Sequence, residues 1–248
     1  MPVTGIKAVA PSGVTAFLFN IAAMKPVNEL INTKEPGWDL VKDWIKNGKN
    51  HIEILPKDSA RAEQTLYETQ VSTRSPMGAI IYETGGLLVD HGWIRVLGSG
   101  SEKLDRTLPR WNEGKSFDNI GDPPAFLLIA DDVIGGFFAI NAGGLAPQEG
   151  IGSVFYFAPD TLEWENMEIN YSDFISFCCS GDIDGFYGAF RWEGWQAEVE
   201  KLNGTQAFSF APFLFTKEGK DLYNVSKKAV PVQELWSLQM DLQKQFGH

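Results

Sequence analysis

Residues 126–140 read Phe126-Leu127-Leu128-Ile129-Ala130, then Asp131-Asp132-Val133-Ile134-Gly135, then Gly136-Phe137-Phe138-Ala139-Ile140. Two apolar runs, each too short for a helix, flank an acidic turn closed by glycine, which is the pattern of a β-hairpin. The pattern repeats in both directions. Upstream, residues 79–84 and 87–90 flank Gly85-Gly86, and residues 93–97 alternate between Gly92 and Gly98. Downstream, residues 152–157 and 162–165 flank Pro159-Asp160. About six short strands at hairpin spacing, with no long helix between them, predict a mainly antiparallel sheet rather than a doubly wound parallel one.

Helices are expected on either side of this block. Residues 33–48 begin with a cap-like Thr33 and Pro36, end at Gly48, and set Trp38, Val41, Trp44 and Ile45 on one face. After a short strand at 51–55, Asp58 caps a helix that points Ala62, Leu66 and Thr69 inward. Ser172-Asp173 opens another helix, a further one is expected over 182–202, and residues 207–216 are strand-like. Pro231 starts a last helix with Val232, Leu235, Trp236, Leu242 and Phe246 inward. The echo of residues 26–31 (PVNELI) in residues 231–236 (PVQELW) reads as chance. The expected class is therefore α+β: an antiparallel sheet packed with helices from the N- and C-terminal parts. Residues 1–23 read as a poorly ordered extension and 24–248 as a single domain.

Composition narrows the function. The chain has 248 residues, 44% of them hydrophobic, which suffices for a sizeable core. Its net charge of −11 argues against nucleic acid or an anionic membrane as partner. The 1–23 segment carries Lys7 alone among charged residues, so the remaining body stands at −11 − 1 = −12. No apolar run is long enough for a membrane span. Cys178 and Cys179 are neighbours inside an apolar helix, which suits two buried thiols in a reducing cytoplasm; the alternative is export, with residues 1–23 acting as a weak signal peptide.

Familiar catalytic signatures are missing. There is no phosphate-binding Gly-x-x-x-x-Gly-Lys-Ser/Thr, no Gly-x-Gly-x-x-Gly opening a helix, no serine nucleophile elbow and no His-Glu-x-x-His. Neither a cofactor nor a metal site is expected, and no catalytic residue is assigned. Seven residues remain as binding candidates. Asp90-His91 joins two strands and suggests a carboxylate-paired imidazole, with Trp93 beside it; the plainer reading is a turn. Trp111-Asn112 falls in an irregular segment, where a rigid aromatic with an amide neighbour suits recognition. Asp131-Asp132 would offer two carboxylates, but neighbours on a strand face opposite ways, so a hairpin corner is the plainer reading.

A resemblance rests on Glu29-Leu30-Ile31-Asn32, Glu35-Pro36-Gly37-Trp38, Thr73-Arg74-Ser75-Pro76-Met77-Gly78-Ala79 and the run from Asp90-His91-Gly92-Trp93 to Gly98-Ser99-Gly100. With residues 130–138, 155–164 and 171–174, these resemble an uncharacterised bacterial family, domain of unknown function 2625. The likeness covers nearly all of 24–248 and implies a chain beginning near Met24; the family brings no established activity. More distantly, residues 126–177 resemble the SUKH superfamily of toxin-immunity proteins, through Gly135-Gly136-Phe137-Phe138, residues 154–157, Asp160 and Ser172-Asp173-Phe174-Ile175. This implies a non-catalytic soluble binding protein, an immunity-like inhibitor of a basic partner such as a toxin, toward which an acidic chain would be steered. The alternative is a small-molecule-binding protein or hydrolase with a site near Asp90, His91, Trp93, Trp111 and Asp131. A purely structural role has no feature in its favour, and the oligomeric state is left open.

Overall fold

The computed structural model describes residues 24–146 and 149–246; the expected extension at 1–23 lies outside the described residues. The elements run α1 (Val27–Leu30), α2 (Gly37–Asn47), β1 (Ile52–Ile54), α3 (Ser59–Thr69), α4 (Pro76–Glu83), β2 (Gly86–Val89), β3 (Ile94–Leu97) and α5 (Leu108–Asn112). They continue β4 (Phe126–Asp132), β5 (Phe137–Asn141), β6 (Val154–Ala158), β7 (Glu163–Asn166), α6 (Tyr171–Ser180), α7 (Ile183–Tyr187), α8 (Trp195–Val199), β8 (Gln206–Ala211), β9 (Ser226–Pro231) and α9 (Val232–Phe246). The class is α+β, as the hairpin spacing implies. Strands β1 to β7 form one antiparallel sheet whose spatial order is the order of the chain, and β8–β9 form a separate hairpin.

The sheet has two differently covered faces. One cross-strand row runs Glu53, Leu88, Arg95, Asp131, Phe137, Phe157, Trp164. The C-terminal part covers this face: Trp236 of α9 meets Phe137 edge-on at 4.9 Å, and the Phe208 N–H of β8 donates to the Val133 carbonyl at 2.7 Å. The opposite face carries Val89, Ile94, Val96, Ala130, Asp132 and Phe138, where Phe174 of α6 packs on Phe138 at 4.8 Å. Helix α6 packs in turn against α2 and α4.

Several local expectations are corrected. Residues 79–83 belong to helix α4, not to a strand. An apolar run such as Ala79-Ile80-Ile81 suits a helix buried all round as well as a strand, so its period cannot decide. Ser75-Pro76 decides: the Ser75 hydroxyl accepts the Gly78 N–H at 3.1 Å and proline takes the first turn. Helix α6 is capped by Asn170, whose side chain accepts from Ser172 and Asp173. Helix α2 starts only at Gly37, with no side-chain cap. The helix expected over 182–202 breaks into α7, a 3-10 turn and α8 across Gly188 and Gly194. Thr69 is only half-buried; Thr65 and Glu68 turn inward beside Ala62 and Leu66. On α9 the inward face is Val232, Leu235, Trp236, Gln239 and Leu242, while Phe246 is 56% exposed. No helix among the described residues is long and apolar enough to cross a membrane.

Candidate functional site

The β2–β3 turn presents Asp90, His91 and Gly92, all at positive φ (50°, 59° and 88°). Asp and His tolerate this left-handed region better than most side chains, and it aims both outward. The His91 Nδ1 lies 3.0 Å from Glu200 Oε1. A carboxylate can only accept, so Nδ1 carries the proton and Nε2 is left free as an acceptor in the neutral ring. His51, next to β1, stacks on the same imidazole at 5.1 Å, and Trp195 meets it edge-on at 5.9 Å. The imidazole is thus carboxylate-paired, but not by Asp90. Asp90 accepts from Arg191 at 2.5 Å, and the Arg191 guanidinium lies 4.0 Å from the Trp93 ring and 3.8 Å from Trp195. Trp93 is fully buried beneath it.

This turn forms one rim of a cleft of about 470 Å³. Glu53 and Lys103, paired at 2.5 Å, line another part, and Glu102, Glu200 and Lys201 supply the remaining charge. Arg95 lies in its floor. Among the described residues, no serine, threonine or cysteine lines the cleft. Among the described residues no group of three or more His, Cys, Asp or Glu is arranged to hold a metal ion.

Asp131 and Asp132 part company as neighbours on a strand should. Asp131 stays on the cleft side, fully buried behind Arg95. Its Oδ1 accepts the Arg95 Nε–H at 2.6 Å and its Oδ2 an Arg106 N–H at 2.5 Å. Arg95 also donates to the carbonyls of Asp132 and Gln206, and Arg106 donates twice to the Gly204 carbonyl, at 3.0 and 2.8 Å. Two guanidiniums on one carboxylate leave buried positive charge. Burial, and then the neighbouring Arg106, pull Arg95 below the ordinary arginine value, while Asp131 opposes them.

Asp132 points to the opposite face. Its Oδ1 accepts the Ile134 and Gly136 N–H groups at 3.0 and 2.7 Å, and its Oδ2 the hydroxyls of Tyr156 and Tyr187 at 2.7 and 2.9 Å. A Cβ at Gly136 would sit 2.3 Å from both Asp132 Oδ2 and Tyr156 Oη, so only glycine admits this arrangement. Burial raises the Asp132 carboxyl above the usual range, against the pull of its four donors. Both tyrosines are pushed well up as well, first by burial and then by that carboxylate.

Trp111 and Asn112 are buried, at 6% and 0% exposure, in the short helix α5. The Asn112 amide donates to the Leu128 carbonyl at 2.9 Å and accepts the Leu128 N–H at 2.7 Å. Strand β3 pairs with β4 only over residues 130–132, so this side chain completes the ladder where the neighbouring strand has left. Asn112→Ala strands both Leu128 groups in the interior, at roughly 1–3 kcal/mol for each buried group left unpaired. A loss of about 2 kcal/mol in urea-unfolding stability is expected; a change within 0.5 kcal/mol of zero, the size of an ordinary surface substitution, would contradict the ladder role.

Of the seven candidates, His91 lines the cleft, Asp90 sits beside it in the same turn, Asp131 backs the cleft through Arg95, Trp93 lies beneath Arg191, and Trp111 packs on Arg106, which does not line the cleft. Asn112 and Asp132 do not take part. Glu200, Arg191, His51, Lys103 and Arg95 complete the arrangement. Cys178 and Cys179 lie elsewhere in α6; burial raises both thiols, Cys179 to about 11, which leaves them protonated at neutral pH.

A family described as Protein of unknown function DUF2625 matches residues 27–235. An uncharacterized Escherichia coli (strain K12) protein, YbfG, is 42% identical over 223 residues, which is 90% of this chain and 99% of that protein. An uncharacterized protein of Haemophilus influenzae is 44% identical over 191 residues, 77% of this chain and 83% of the relative. No solved structure matches the chain significantly.

Proposed function

The chain belongs to the DUF2625 family of proteins of unknown function, and from its side chains we propose that it is a non-catalytic binding protein whose cleft receives a cationic side chain of a basic partner. One observation carries the reading: a carboxylate at the cleft, Glu102, forms no ion pair among the described residues. Arg95 is committed to Asp131, Lys103 to Glu53 and Glu200 to His91; the lining balances three carboxylates against three cations, so the net attraction for a basic partner comes from the chain as a whole. The net charge of −11 adds long-range attraction for a basic partner. A toxin-immunity role in the cytoplasm is the specific form of this proposal, and it rests on the resemblance of residues 126–177 alone.

The test is calorimetric titration with a lysine- and arginine-rich peptide and an acidic peptide of equal length. The basic peptide alone should bind, more weakly as salt rises. The double substitution Glu102→Gln/Glu200→Gln should weaken binding about tenfold, or about 1.4 kcal/mol. Equal binding of both peptides, or an unchanged double variant, would refute the proposal.

The His91–Glu200 pair favours a second reading, a small-molecule site in which the free Nε2 accepts a proton, as in a hydrolase that activates water. A metabolite at 100 times its Kd should then stabilise the protein by about 2.7 kcal/mol. That gain should shrink in His91→Asn and persist in the Glu102→Gln variant.

A further inference from the structure

On the far side of Arg106 from the cleft, α5 ends in a tight turn. The Asn112 carbonyl accepts the N–H groups of both Lys115 and Ser116, at 2.9 and 3.0 Å. This folds Lys115 back over the indole of Trp111, with its Nζ 4.0 Å from the ring centroid. The Arg106 guanidinium lies 4.5 Å from the same ring. One indole therefore carries two cations, although Arg106 already shares its carboxylate, Asp131, with Arg95.

Lys115 has no such compensation. It forms no ion pair among the described residues, and no carboxylate offsets its burial: the amine is brought down to about 8, first by burial and then by repulsion from Arg106. Beside it are two buried polar atoms without a hydrogen-bond partner, Trp111 Nε1 and Ser116 Oγ, on side chains only 6% and 8% exposed. An indole N–H can only donate, and a hydroxyl can donate. Three donors thus come from one turn, Lys115 without an ion pair and two buried groups without a hydrogen-bond partner, and buried groups of this kind ordinarily have partners. The turn borders a surface hollow of about 300 Å³ that Lys115, Ser116 and Gly114 help to line. Asp118 and Asp122 stand at the same hollow; Asp122 already accepts the Asn119 N–H and side-chain amide, at 2.9 and 3.0 Å.

We propose that the Trp111–Lys115–Ser116 turn is a binding site for a small oxyanion, a carboxylate or phosphate group, which would supply the acceptors these three donors lack. The site is separate from the cleft and does not depend on what the cleft binds.

The experiment follows the indole N–H resonances of the ¹⁵N-labelled protein, with Trp111 assigned through its own backbone. Inorganic phosphate and acetate are titrated separately at constant ionic strength, with chloride as the balancing ion. The Trp111 Nε1–H signal should shift saturably, with a Kd of about 1 mM or tighter. Lys115→Gln should weaken the response about tenfold, and Ser116→Ala should weaken it less, with the other indole signals marking both variants as folded. Saturation by phosphate alone assigns a phosphoryl ligand, and saturation by acetate as well assigns the broader carboxylate class. No saturable shift with either anion, or an undiminished response in a folded Lys115→Gln protein, would overturn the proposal.

Discussion

Asp131→Asn lowers the unfolding free energy by about 3–5 kcal/mol, the cost of removing one partner from a buried ion pair. The asparagine has almost the same shape, so packing is not what is lost. Arg95 and Arg106 would be left buried without their carboxylate, and one of them would meet an amide NH₂, donor against donor. Asparagine cannot serve both guanidiniums, because each carboxylate oxygen takes a different one. Urea denaturation of the two proteins checks this; a loss under about 1.5 kcal/mol, the ordinary range for a single hydrogen bond, would mean that the two-arginine pin carries little.

At the next residue the same exchange should be tolerated. Asp132→Ala strands two backbone N–H groups and two tyrosine hydroxyls, at roughly 1–3 kcal/mol for each buried group without a partner, so a loss of at least about 4 kcal/mol is expected. Asp132→Asn should cost less than about 1.5 kcal/mol, near the value of one hydrogen bond. The amide oxygen can keep both backbone N–H groups, and the amide NH₂ can donate to the two tyrosine hydroxyls, which turn to accept. The pH dependence supplies a second check. The folded carboxyl is raised above its unfolded value, so the native state holds its proton longer. The Asp132 contribution is therefore present below the unfolded value of about 3.9 and falls as pH rises toward and through the folded value. Asparagine removes this decline. Adjacent carboxylates with opposite tolerance for one substitution would show that the strand divides them between a charge-balancing and a hydrogen-bonding task.

The hairpins were legible in the sequence because their strands are short, apolar and closed by Gly or Pro-Asp, as at 126–140 and 152–165. Helix α4 was hidden because Ala79-Ile80-Ile81 is buried whichever period it follows; only Ser75-Pro76 betrayed it. Strand β9 was missed because Ser226-Lys227-Lys228 carries little apolar signal, and its pairing is set by β8. At the cleft, the turn that carries Asp90 and His91 could be read, although the two residues do not pair with each other. Their partners could not: Arg191 and Glu200 lie 101 and 109 residues away in the chain, on segments with no motif. Trp111 and Asn112 looked like a loop epitope because five residues of helix are too few to leave a periodic trace. The one available sign was Thr107-Leu108-Pro109, a cap followed by proline in the first turn.

The in-order sheet also constrains how the chain folds. Each strand of the meander pairs with its immediate predecessor, and the β2–β3, β4–β5 and β6–β7 pairs close through short loops, the local pairing that favours rapid folding. One long closure brings Gly204 and Gln206 back to Arg106 and Arg95, some hundred residues earlier. Loop entropy makes this closure late, after the meander exists to receive it. The arginine pin then belongs to the final docking of the C-terminal part, and weakening it should show mainly as faster escape from the native state rather than slower entry.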